Sequence, residues 1–111
     1  MLLTKEKTVS PRRVWRFNHK LRSLLAGKNL RIETLSPAVI HWSADGWQTV
    51  QDAATREVGL GIHLADLATQ ALSKGRQVQF TFYWPDAKRW EGADFAVATV
   101  AAAITKAATH E

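Results

Sequence analysis

Five tryptophans stand in 111 residues, and four of them form two pairs, Trp42 with Trp47 and Trp84 with Trp90. Each pair has one member in an alternating apolar run and one beside a turn. Ala44-Asp45-Gly46 leads into Trp47, and Pro85-Asp86, followed by Lys88-Arg89, leads into Trp90. Alternation implies a strand with one buried face, so Trp42 and Trp84 are expected to pack in or near a core. A polar turn denies an indole a full apolar surround, so Trp47 and Trp90 are expected at the surface as flat platforms that also carry an N–H donor. Such rings suit a sugar. The C–H face of a pyranose packs on an aromatic plane, while its hydroxyls, each donor and acceptor, need polar side chains held in fixed geometry. Gln48 beside Trp47, with Asp86 and Glu91 flanking Trp90, are candidates for that role. His41 precedes Trp42 and so faces the other side of its strand, where its ring can join Trp47 as a further hydroxyl partner.

Other chemistries lack their residues. Asp86, Glu91 and Asp94 lie in one turn region, where they read as turn formers and solvated charges rather than an acid–base pair flanking a cleft. His19, His41, His63 and His110 show no metal-ligand spacing, and with no cysteine there is no disulfide, no thiolate nucleophile and no Cys-type zinc site. Ser36, Ser43 and Ser73 have no nucleophile-elbow context, and Gly59-Leu60-Gly61 does not continue into a phosphate loop. The domain is expected to be non-catalytic and to need no cofactor or metal.

The element that must position the rings runs from Gln77 to Phe95. Val78, Phe80 and Phe82 alternate with Gln77, Gln79, Thr81 and Tyr83, a half-buried strand that enters the Trp-rich turn and returns. Before it, Val14 to Asn18 reads as a short strand with Trp15 and Phe17 on one face, and Leu21, Leu24 and Leu25 as a helical turn or irregular connection. Leu30 to Leu35 is a strand with one polar face. Ala38 to Ser43 is another, followed by a tight Asp45-Gly46 turn and a return strand from Gln48 to Asp52. Ala53 to Val58 reads as a loop, and Gly59 to Leu64 as a strand with glycines on one face. Phe95 to Val100 completes the sheet. With about seven short strands and no βαβ alternation, the expected fold is all-β, an immunoglobulin-like antiparallel β-sandwich. The domain is expected over 14–100, after a flexible basic leader or linker at 1–13 and before an Ala-rich stretch at 101–111 that forms a short helix or a frayed tail.

Composition sets outer bounds. Apolar residues make up 46% and charged residues 23%, and no apolar run approaches the roughly 20 residues that span a bilayer. The N-terminus is charged from Lys5 and has no apolar core of a secretory signal, which leaves the compartment open. The formal net charge is +5, but nine of the 15 basic residues fall within the first 31 positions, and after Arg31 acids outnumber bases nine to six. Arg12, Arg13, Arg16, Lys20 and Arg22 could follow phosphates while Trp15 and Phe17 stack bases. No nucleic-acid-binding motif accompanies them, so nucleic acid is the weaker reading.

The runs AVIHWSADGWQTV and FTFYWPDAKRWEGADFAV resemble the small starch-binding modules appended to amylases. With WRFNHK and GKNLRIE in the same order, the chain is similar still more closely to the C-terminal β-sandwich of bacterial glucoamylase-like (glucan 1,4-α-glucosidase) proteins, over about Trp15 to Val97. That resemblance implies that His41, Trp47 and Trp90 contact sugar. The chain departs from the starch-binding pattern at Glu91-Gly92-Ala93-Asp94, which replaces an asparagine-rich turn. The combined expectation is a non-catalytic starch or α-glucan module, partnered by an α-glucan and by the catalytic domain of a glycoside hydrolase. Trp47 and Trp90 would be its platforms, and His41, Gln48 and Glu91 its hydroxyl partners. A docking module that has lost its sugar is the alternative.

Overall fold

The computed structural model of the chain describes residues 12–101. Ten strands and no helix appear among them: β1 Arg12–Trp15, β2 Ser23–Leu25, β3 Asn29–Thr34, β4 Val39–Ser43, β5 Gln51–Ala54, β6 Arg56–Gly59, β7 Ile62–Leu67, β8 Gln77–Trp84, β9 Arg89–Trp90 and β10 Phe95–Val100. One sheet runs β1-β3-β7-β6. The other runs β2-β10-β8-β4-β5, with β9 paired to β8. The chain is an all-β sandwich.

Alternation sets the core. Leu30, Ile32 and Thr34 of β3 face Ile40 and Trp42 of β4, Val78, Phe80 and Phe82 of β8, and Val97 of β10, each at most 4% exposed. Trp15 is 1% exposed and packs edge-on against Phe80, with ring centroids 5.1 Å apart. Phe17 follows it to the same side, 4.9 Å from Trp15. Burial on this scale, at about 25 cal/mol per Å² of apolar surface, is the main force holding the sheets together. The buried hydroxyls are satisfied locally. Thr69 Oγ1 donates to the Lys28 carbonyl and accepts from the Leu30 N–H, and Thr99 Oγ1 donates to the Ser73 carbonyl.

Several details differ from expectation. The sheets are mixed: β1 runs parallel to β3, and β2 parallel to β10. The Leu21–Leu25 stretch supplies β2 rather than a helical turn, because Leu24 buries against the core while alternate neighbours face out. The polar stretch expected as a loop at 53–58 spans the end of β5 and most of β6. Both are edge strands, whose exposed side chains carry no inward-facing apolar signal. Leu60 and Gly61 form a turn that interrupts the strand expected over 59–64, with Gly59 ending β6 before it and Ile62 opening β7 after it. Gly59, Leu60 and Gly61 all have positive φ, and Leu60 is 99% exposed at the tip. The return strand after the Asp45-Gly46 bend starts only at Gln51. β1 starts at Arg12, so the sheet already includes the last two residues of the expected leader. The rest of that leader, and the Ala-rich end beyond residue 101 with its expected helix, lie outside the described residues. No described helix is long and apolar enough to cross a membrane.

Candidate functional site

The outward face of the second sheet carries the rings. On β4, Trp42 is buried and His41 therefore points the other way. On β8, Phe82 is buried and Tyr83 points outward for the same reason. β9 folds back on β8 with Trp90 directly opposite Tyr83, and their ring centroids lie 5.2 Å apart at 62°. Trp90 is 53% exposed and reaches the imidazole of His41 edge-on, at 5.4 Å and 75°. Trp47 lies nearly parallel to the same imidazole, at 5.8 Å and 20°. Four rings thus form one shelf centred on His41.

Trp47 is delivered by a built loop. Ser43, 1% exposed at the end of β4, accepts the N–H of Trp47 (2.9 Å) and donates its own hydroxyl to Asp45 (2.7 Å). Asp45 also accepts the N–H of Thr49 (2.8 Å). These bonds, the one from the Thr49 backbone first and the Ser43 hydroxyl next, lower the Asp45 pKa to about 2. Midway through the bend Gly46 and Trp47 both lie in the left-handed region, at φ 72° and 71°. For an L-residue that conformation costs on the order of 1–2 kcal/mol, so a bulky indole is held there at the expense of stability. Strain of this kind gathers at functional sites.

His41 is fixed by its neighbour strand. β4 and β5 place His41 opposite Asp52, and Nδ1 lies 2.6 Å from Asp52 Oδ1. Among the described residues neither the Nε2 of His41 nor the indole N–H of Trp47 or Trp90 has a hydrogen-bond partner. The shelf therefore offers two donors and a ring nitrogen beside exposed aromatic surface.

Of the five expected site residues, the structure brings His41, Trp47 and Trp90 together. Gln48 is exposed next to Trp47 in the same loop. Glu91 stands apart. It alternates with Trp90, so its side chain passes to the inner side, where Oε1 accepts the indole N–H of Trp84 at 2.8 Å. Trp84 itself is half-buried and stacks on Phe82 at 5.3 Å and 8°. Tyr83 and Asp52 join the site although nothing marked them beforehand as candidates.

A hollow lies elsewhere. A cleft of about 640 Å³ opens between the sheets, lined by Arg16, Phe17, Glu33, Leu35, Trp84 and Glu91. Its charged groups already have partners: Arg16 Nε donates to Glu33 Oε1 at 3.0 Å, and Glu91 accepts from Trp84. Concavity is the usual guide to a small-molecule site, but the exposed aromatic surface, with ring nitrogens unpartnered among the described residues, lies on the outward face. The outward rings are the better candidate. The same geometry removes the base-stacking pair of the nucleic-acid reading, since Trp15 is buried and Phe17 packs on it. Arg16 pairs with Glu33, and Arg31 with Asp66 through two bonds of 2.7 and 2.9 Å. No group of three or more potential metal ligands occurs among the described residues.

Comparison with known proteins gives one clear relative. The chain is 30% identical over 95 residues to a cycloisomaltooligosaccharide glucanotransferase of Niallia circulans, an alignment that covers 76% of this chain and 10% of that protein. The chain thus corresponds to about a tenth of the length of the relative. No family model and no solved structure matches it.

Proposed function

We propose that this domain is a non-catalytic carbohydrate-binding module that holds α-glucan on the His41–Trp47–Trp90–Tyr83 shelf, as an accessory of a glucan-acting enzyme of the glycoside hydrolase kind. The observation that carries the reading is the meeting of two partly exposed indoles on one outward imidazole, one of them kept in a strained backbone conformation. Folding alone gives no reason to gather rings there. A sugar face does, because stacking removes apolar C–H surface from water while the indole N–H groups and the imidazole nitrogen meet hydroxyls. The likeness to a small part of a glucanotransferase supports a glucan as ligand and an accessory role. It fits a starch-binding or glucoamylase-associated module and also a module for the isomalto-oligosaccharides in the name of the relative.

Tryptophan fluorescence under titration with maltoheptaose, a linear isomalto-oligosaccharide and a single-stranded oligonucleotide tests the reading. A saturable response to one glucan, insensitive to salt and abolished by Trp47→Ala and by Trp90→Ala, is expected, because neutral sugars release no counterions. A salt-sensitive response to the oligonucleotide alone would replace it with nucleic-acid binding. Silence toward all three would leave a docking module that has lost its ligand.

A further inference from the structure

We infer that Asp52 is a positioning residue: by accepting the Nδ1–H of His41 it fixes the imidazole tautomer, so that Nε2 meets the bound glucan as a hydrogen-bond acceptor. The inference rests on the proposed glucan-binding role of the shelf. The geometry is direct. Asp52 faces His41 across the β4–β5 ladder, and 2.6 Å separates Oδ1 from Nδ1. A carboxylate oxygen can only accept, so the shared proton sits on Nδ1. In a neutral imidazole the other nitrogen then carries a lone pair. Nε2 has no partner among the described residues, and the ring that bears it is stacked on Trp47 and met edge-on by Trp90.

The consequence is a matched set. Two indole N–H groups donate and one imidazole nitrogen accepts, which suits adjacent sugar hydroxyls of which one must donate. The opposite tautomer would turn Nε2 into a third donor and remove the acceptor that lies between the two indoles. Stability does not explain the pair well. The Asp52 side chain is 61% exposed and that of His41 33%, and solvent-exposed pairs contribute little to folding.

The test uses the whole chain with imidazole nitrogens labelled with ¹⁵N, in mildly alkaline buffer, and maltoheptaose and an isomalto-oligosaccharide as probes. Without sugar, the wild-type His41 spectrum should show the Nδ1–H form, Asp52→Ala should shift it toward a mixture, and Asp52→Glu should largely restore it. Affinity for the glucan that binds should fall roughly three- to ten-fold in Asp52→Ala, the loss expected of one modest hydrogen bond. It should recover in Asp52→Glu, with the thermal midpoint unchanged in both. A wild-type imidazole protonated on Nε2, or an Asp52→Ala variant that keeps either the Nδ1–H form or full affinity, overturns the inference. If the wild type answers no glucan, the proposed function and the ligand half of this inference both fall, and the sugar-free spectrum still decides whether Asp52 governs the ring.

Discussion

Strands β4 and β8 carry aromatic clusters on both faces, and the two clusters have opposite fates. On the inner face Phe80, Phe82 and Trp84 join Trp15, Phe17 and Phe95, with neighbouring centroids between 4.9 and 6.0 Å apart. On the outer face His41 and Tyr83, one residue from Trp42 and Phe82, join Trp47 and Trp90 at similar spacing. Ring types and distances are alike. The difference lies in the cover: the first sheet closes over the inner cluster, whereas nothing among the described residues closes over the outer one. Identical contacts therefore stabilise the fold on one side and leave surface for a ligand on the other.

The comparison breaks most visibly through stability. Phe80→Ala, at a fully buried site, should cost about 3–5 kcal/mol by chemical denaturation. Tyr83→Ala, half-buried on the outer face, should cost less than about 1 kcal/mol. Equal costs would mean that the outer cluster is a second core. Binding should invert the ranking. Trp90→Ala should abolish the glucan response, while a Phe80 variant that still folds should bind normally.

A finer test exploits the backbone at Trp47. Glycine should be more stable there than alanine by about 1 kcal/mol, because φ 71° suits it, although both variants should lose the sugar response. If alanine proves the more stable, the left-handed conformation is not what holds this indole out. The smallest effect should come from Asp45. Its carboxyl is depressed in the fold from the ordinary 3.8 to about 2, so its contribution is complete above pH 3.8 and is lost as pH falls through about 2. Carboxyl-resolved NMR should follow this titration, with the Thr49 amide moving in step. An Asp45 that titrates at its ordinary value would unfasten the loop that presents Trp47.

Parity along a strand was readable in advance, and most of the shelf follows from parity. The alternation of Val78, Phe80 and Phe82 defines β8, and the step from Trp42 to His41 puts the imidazole outside. Register was not readable. Asp52 meets His41 only because residues 44–50 form a longer bend than an Asp-Gly turn, and Tyr83 meets Trp90 only because Pro85 to Lys88 closes a tight hairpin with a Pro85 carbonyl to Lys88 N–H bond of 3.2 Å. Glu91 lies across the sheet from the shelf because β9 extends pairing through Trp90, which gives the next residue the opposite face. β6 and the end of β5 escaped notice since edge strands bury too little to print a pattern.

The parallel pairing of β2 with β10 has a mechanical meaning. Ala26 donates to the Val100 carbonyl and Ala98 to the Arg22 carbonyl, so the ladder is bonded at both ends. Tension applied between the start of β2 and the end of β10 drags the strands past each other lengthwise. The hydrogen bonds then share the load instead of unzipping in turn, and a module anchored at one end and pulled at the other resists as a clasp.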